Sequence, residues 1–254
     1  YKGVCFYMGQ FNRLALDENG YSITRKKSFK PYGTMSENIV ERVFKFAYSM
    51  TFEQSGEHRA NRTGGSHIRK NGEIFSNAFQ GKLAEFALYG YLRALGTNLD
   101  EPDVASYRLG KWDDTDLKVQ DKQISIKSTK SFGNLLLLEK DDWDENGNYL
   151  PNQKPYDFTV LIRMKPFSEE IMKKNRLLYS QEADKEFLKH LILNEKWQYD
   201  IPGFITLEDL KNIIQDKLII EKGSKLNKNT KMDASNYYVQ SGDLRNIESL
   251  GKMI

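Results

Sequence analysis

Asp114-Thr-Asp-Leu-Lys-Val-Gln-Asp-Lys-Gln-Ile-Ser-Ile-Lys-Ser-Thr-Lys130 is the stretch on which the reading of this chain turns. Two β-type runs, residues 117–120 and 123–127, flank the polar pair Asp121-Lys122, a spacing that predicts a hairpin. With that pair as the turn, Asp116 falls opposite Lys127, Leu117 opposite Ile126, Lys118 opposite Ser125 and Val119 opposite Ile124. Side chains alternate along a strand, so Leu117, Val119, Ile124 and Ile126 share a wholly apolar face fit for a core. Asp116, Lys118, Ser125 and Lys127 share the other, which sets an aspartate within cross-strand reach of a lysine.

Upstream, the spacing predicts a helix over about 75–95, ended by Gly96. Phe79, Leu83, Phe86, Ala87, Tyr91 and Leu95 form its apolar face, and Ala78, Gly81, Lys82, Glu85 and Tyr89 follow one another on the other side. A glycine inside a helix lowers its stability, so Gly81 predicts a close approach by another backbone. Residues 56–72 shift to Gly, Ser, Asn and basic side chains, with Arg59, Arg62, Arg69 and Lys70 among them. Such a segment is either a solvated connector or a phosphate-contacting loop. Earlier still, Thr34-Met-Ser-Glu37 reads as a capping box before a helix carrying Ile39, Val40, Val43, Phe44, Ala47 and Met50. A hairpin turning at Asn19-Gly20 is expected before that.

Downstream, residues 135–138 suit a buried strand, the acidic run 139–145 a solvated loop, and 156–164 a central strand. Ser168 is placed to cap a helix, a second helix covers about 181–193, and Thr206-Leu-Glu-Asp209 opens a third over about 207–217. Short strands are expected at 218–221 and 237–239. Lys222, Lys225, Lys228 and Lys231 recur between them in a segment without acids, so Lys225 and Lys228 are candidate DNA contacts beside a solvated reading. No internal repeat or interdomain linker interrupts this order. The expectation is one α/β (α+β mixed) domain over 1–254, with a central mixed β-sheet flanked by helices. Its core is expected at about 75–165 and a helical C-terminal part at about 166–254.

Composition sets the outer limits. A chain of 254 residues, 39% hydrophobic and 29% charged, can bury a large core. A net charge of +3 gives no global basic field, so any nucleic-acid surface is local. The single cysteine, Cys5, excludes an intramolecular disulfide or a multi-cysteine zinc site, and the 3 histidines are too scattered for a metal triad. No apolar run approaches the ~20 residues that span a bilayer. A reducing, intracellular setting is expected.

Hydrolysis of a phosphodiester needs a divalent cation, carboxylates to hold it, and a cationic or basic group for the attacking water. Mg²⁺ prefers oxygen ligands and takes only one or two protein carboxylates. Asp116 is placed to be a ligand, the Ile126 backbone carbonyl a further one, Lys127 the group beside the water, and Glu85 the second carboxylate. Lysine ordinarily titrates near ~10.4, so service as a base would need its pKa lowered. Alone, an Asp116–Lys127 pair is a surface ion pair worth under ~1 kcal/mol. The carboxylate on the preceding helix gives it meaning.

Helical Gly81-Lys-Leu-Ala-Glu85, Asp116 at the start of a strand, and Ile124-Ser-Ile-Lys127 on the next together resemble the PD-(D/E)xK nuclease superfamily, most closely a type II restriction endonuclease. The resemblance is carried by residues 81–130, with the strand at 156–164 following in a suitable place. It implies a restriction-endonuclease-like mixed sheet whose hairpin carries the active site. It also implies Mg²⁺-dependent, sequence-specific cleavage of double-stranded DNA to 5′-phosphate and 3′-hydroxyl ends. A homodimer, a prokaryotic cytoplasmic setting and a cognate DNA methyltransferase that makes no direct contact come with it. Arg59, Arg62, Arg69, Lys70 and Lys130 are the expected DNA contacts, beside Lys225 and Lys228. Two positions depart from the pattern. Thr115 replaces the proline, which is tolerable, but Ser125 stands where the second acid belongs. Glu85 is the first candidate to replace it, Glu139 or Asp141 the second, and Asp114 is the ligand if the register slips by two. A nuclease acting on branched or damaged DNA, and a DNA-binding module without activity, are the alternatives.

Overall fold

A computed structural model of the chain describes residues 11–53, 69–104, 116–228 and 230–254. Arg59, Arg62 and Asp114 lie outside them. In chain order the elements begin with β1 (Ala15–Asp17), β2 (Gly20–Ser22), β3 (Gly33–Thr34), α1 (Glu37–Thr51) and α2 (Asn71–Ala94). The hairpin β4 (Leu117–Val119) and β5 (Lys122–Lys130) follows, then β6 (Leu135–Glu139), β7 (Asn148–Tyr149), β8 (Lys154–Pro155) and β9 (Phe158–Lys165). Next are α3 (Ser168–Lys174), α4 (Lys185–Leu193), β10 (Gln198–Thr206) and α5 (Leu207–Gln215). The last are β11 (Ile219–Ile220), β12 (Lys225–Leu226), β13 (Thr230–Lys231) and β14 (Asn236–Gln240).

The main sheet has the order β3-β10-β9-β5-β4. It is mixed, because β5 runs parallel to β9 while the β4–β5 and β9–β10 pairs are antiparallel. Ile124, Ile126, Val160 and Ile162 turn one face into a core shared with Phe44, Phe75, Phe79 and Leu83 of α1 and α2. Leu161 and Ile205 turn the other face to a second core with Leu136, Leu138, Tyr237 and Val239. The last four belong to a three-stranded sheet, β11-β14-β6. The expected α+β class and mixed central sheet are thus present. The larger helices cover one side, and a small sheet with α5 covers the other.

The C-terminal part carries the expected helices α3, α4 and α5 and, beside them, strands. β10 joins the main sheet next to β9, and β14 pairs with β6 over Asn236↔Glu139 to Gln240↔Leu135. Several boundaries also move. The N-cap of α1 is Ser36, whose hydroxyl accepts from the Ile39 N–H at 3.4 Å, and Thr34 belongs to β3. Ser168 does not cap α3; it is fully buried as its first residue, and its hydroxyl meets that of Ser76 in α2 at 2.8 Å. The box at Thr206 and Asp209 forms as expected. The first hairpin pairs Asp17 with Gly20 and turns one residue earlier than expected.

Gly81 has no backbone against it: a Cβ there would meet nothing within 4 Å. Leu95, expected on the apolar face of α2, is 52% exposed past the helix end. Because Gly81 lies inside a regular helix with open space beside it, Gly81→Ala is expected to raise stability by about 0.5–1 kcal/mol. Urea unfolding checks this; a loss of stability would mean that the position serves a contact outside the chain.

Candidate functional site

The hairpin forms, but two residues out of the expected register. Leu117 pairs with Ile124, Lys118 with Gln123 and Val119 with Lys122, around a loop of Gln120 and Asp121. Gln120 takes a φ of 54°, a left-handed conformation that a glutamine rarely signals in sequence. An even shift leaves every side chain on its expected face, and Leu117, Val119, Ile124 and Ile126 are all buried. Asp116 moves from opposite Lys127 to opposite Ser125. The Ser125 hydroxyl lies 3.4 Å from Asp116 Oδ2, and the Ile126 N–H donates to the same oxygen at 2.5 Å.

That last contact matters because β4 ends at Leu117 while β5 continues to Lys130. Among the described residues, the β4-facing edge of β5 has no strand beside it beyond the Asp116 carboxylate. The N–H and C=O of one strand residue point to the same side, so the Ile126 carbonyl faces this open edge, as do the backbone groups of Ser128.

Helix α2 packs against β5 and brings Glu85 to the hairpin. Glu85 is 9% exposed, and its Oε2 takes the Lys82 ammonium at 2.6 Å. Burial pushes the Glu85 carboxyl up to about 8, against the attraction of Lys82 and with help from the nearby Asp116 charge. Two carboxylates from distant parts of the chain therefore feel each other here, with one ammonium beside them. Folded, Glu85 keeps its proton well above the ordinary carboxylate value of 4.5. The stabilising effect of that proton is full below 4.5 and is lost as pH rises to about 8. The wild type is expected to lose about 1 kcal/mol or more relative to Glu85→Gln between pH 5 and pH 8.5. Denaturant unfolding at the two pH values reads this out; parallel curves would show that Glu85 titrates normally.

Lys127 stands beside Leu161 of β9, on the face turned to the second sheet. It lines a groove of about 560 Å³ that follows the open edge of β5. One wall comes from α2 and β5, with Arg69, Asn77, Gln80, Ile126, Lys127 and Lys130. The lining also takes in Glu139, Asp142, Asp233 and Asn236 from β6, the turn after it and the approach to β14, and Glu169 of α3. Of the fallback acids, Glu139 therefore reaches the groove. Asp141 is exposed and does not line it, and its neighbour Asp142 does instead. Asp116 is joined to the groove through its bond with Ile126, and neither Asp116 nor Glu85 lines it.

The candidate DNA contacts divide. Arg69 lines the groove, and Lys70 is exposed at the start of α2. Lys130 lies 3.7 Å from Glu169, 3.9 Å from Glu170, and over the rings of Phe132 and Phe167. Lys225 and Lys228 are exposed on the β12–β13 hairpin and do not line the groove. Sequence reasoning placed Lys82 on the Glu85 side of α2, at the spacing of paired helix side chains, but gave it no role. It missed Gln80, Asp142 and Asp233, for which no local pattern exists.

Among the described residues, no group of three or more His, Cys, Asp or Glu is close enough to hold a metal ion. None of their helices is long and apolar enough to cross a membrane. No family model, curated protein or solved structure matches the chain.

Proposed function

We propose that the chain is a Mg²⁺-dependent, sequence-specific endonuclease of double-stranded DNA, of the type II restriction kind and of restriction-endonuclease-like fold. The observation that carries the reading is that the charge of Asp116, at the start of the hairpin, acts on the buried Glu85 of α2. Ile126 and Lys127 follow on the open edge and adjacent face of β5. The two carboxylates and the Ile126 carbonyl are all hard oxygen donors, and Mg²⁺ needs no more from a protein than these. The buried ammonium of Lys82 already occupies a cation's place against Glu85.

Asp116, Glu85 and the Ile126 carbonyl would hold the ion. Mg²⁺, when bound, supplies charge that polarises the phosphate and makes a bound water more acidic. Lys127 positions the attacking water and offsets the charge growing on the phosphate. The products are a 5′-phosphate and a 3′-hydroxyl. One such site cuts one strand, so a homodimer with two-fold symmetry fits a palindromic duplex. A cognate methyltransferase would protect the host's own sites.

Incubation with unmethylated phage DNA and Mg²⁺ tests this. The expected result is a set of discrete fragments with 5′-phosphate ends; intact DNA under all divalent cations would refute it, and cutting confined to branched or nicked DNA would replace it with a repair-type nuclease. One observation favours a second reading. Ser125 stands in the place of an acid, and Glu85 is already paired with Lys82, which suits a DNA-binding module without activity. Such a module would bind DNA equally well with and without Mg²⁺.

A further inference from the structure

The groove beside β5 holds a group that the fold itself leaves unexplained. Gln80 of α2 is only 2% exposed. Its Oε1 accepts the Ser168 N–H at 3.0 Å. That bond sets the orientation of the amide, because the reversed amide would press two N–H donors together. Nε2 is therefore the end turned away from Ser168, and it is buried with no hydrogen-bond partner among the described residues. Native proteins seldom leave such a donor unmet unless something outside the fold meets it.

The surroundings say what that is. Gln80 lines the groove with Ile126, Lys127 and Ser128. Strand alternation turns the Ser128 N–H to the same open edge. Gln80, Ser128 and Lys127 offer an amide, a backbone N–H and an ammonium, all of them donors, while the nearby carboxylate of Glu169 is held by Lys130 at 3.7 Å. Glu139, Asp142 and Asp233 also line the groove and repel an anion. A negatively charged acceptor is thus held beside Gln80, Ser128 and Lys127.

We propose that Gln80 Nε2 donates a hydrogen bond to a non-bridging oxygen of a phosphodiester seated in this groove, beside Lys127 and the Ser128 N–H. The inference rests on the nucleic-acid reading above and adds to it a substrate-contacting residue on the helix. Gln80→Glu is the informative variant. It keeps an oxygen for the Ser168 N–H and replaces the groove-facing amide by an oxygen that repels phosphate.

The experiment follows the Gln80 side-chain amide by ¹⁵N–¹H NMR, assigned by its disappearance in Gln80→Glu. A thymidine dinucleotide carrying one phosphodiester is titrated in, with thymidine as the control. The expected result is a saturable shift with the dinucleotide and none with thymidine. In parallel, Gln80→Glu should weaken duplex DNA binding in Ca²⁺ by about 10-fold at a temperature where circular dichroism shows the variant still folded. An unmoved signal, or an equal shift with thymidine, overturns the contact. DNA that is cut while the signal stays still removes Gln80 and leaves the endonuclease standing. A signal that moves in a chain that cuts no DNA does the reverse.

Discussion

Asp116→Asn is expected to lower Mg²⁺-dependent DNA cleavage by about 10³-fold while leaving the melting temperature within a degree or two. The asparagine amide keeps an oxygen that can accept from the Ile126 N–H, the bond that Asp116 makes at 2.5 Å. It therefore preserves the cap on the open edge of β5. What it removes is a unit of negative charge beside Glu85, and a carboxylate's charge on a divalent cation stabilises a transition state by several kcal/mol, or about 10³-fold at ~1.4 kcal/mol per decade. Asp116→Ala loses both the charge and the cap, so it should lose stability as well as activity. The contrast separates a structural aspartate from a metal-binding one. If the asparagine variant cuts within three-fold of the wild type, Asp116 only trims a strand. Lys127→Ala should also abolish most cleavage, but without the loss of metal affinity that marks Asp116→Asn.

The hairpin shows how far a sequence carries such a site. Its two faces were legible because alternation survives a shift by two, and Leu117, Val119, Ile124 and Ile126 are buried as the pattern requires. The cross-strand partner of Asp116 was not, because it depends on which two residues turn. The turn at Gln120-Asp121 needs a positive φ that nothing in a glutamine announces. β10 was hidden for a related reason. Pro202-Gly203 reads as a break, yet the chain absorbs it as an irregularity between Asp200 and Gly203 in the pairing with β9. Gly203 has a φ of 149°, and a Cβ there would stand 2.1 Å from the Arg245 carbonyl, so only glycine lets that segment cross. That Asp116 acts on Glu85 could be anticipated from element order alone, since a helix before a hairpin packs on it. The acidic lining of the groove could not. It exists because β14 pairs Asn236 with Glu139, a contact between distant residues with no local periodicity behind it.

What holds Lys127 in place is largely the sheet beneath it, and the most sensitive point of that sheet is expected to be Asp200. Arg163 of β9 is 1% exposed and Asp200 of β10 is 5% exposed. The guanidinium makes a two-pronged bond to the carboxylate, with Nε to Oδ1 at 2.9 Å and Nη2 to Oδ2 at 2.5 Å. It also donates to the carbonyls of Lys27 at 2.7 Å and Ser28 at 3.0 Å, fastening the segment before β3 onto the sheet. Lys27 adds a second cation whose pKa is lowered by burial and by Arg163 and held up by Asp200. Asp200→Ala strands the Arg163 charge in the interior beside the half-buried Lys27 ammonium, and breaking a buried pair in this way costs about 3–5 kcal/mol. Arg163→Met should cost less, because Lys27 and the Lys30 N–H still face the carboxylate, the latter at 3.1 Å. Joined with Asp200→Ala, it should cost less than the sum of the two single changes, since each change removes the charge that the other leaves stranded. Urea unfolding of the four proteins measures the cycle. Additive losses, or an Asp200→Ala loss below about 1 kcal/mol, would mean that the pair decorates the sheet rather than fastening it. Because Arg163 sits two residues beyond Leu161, the neighbour of Lys127, the destabilised variants should also lose activity at temperatures where the wild type is still folded.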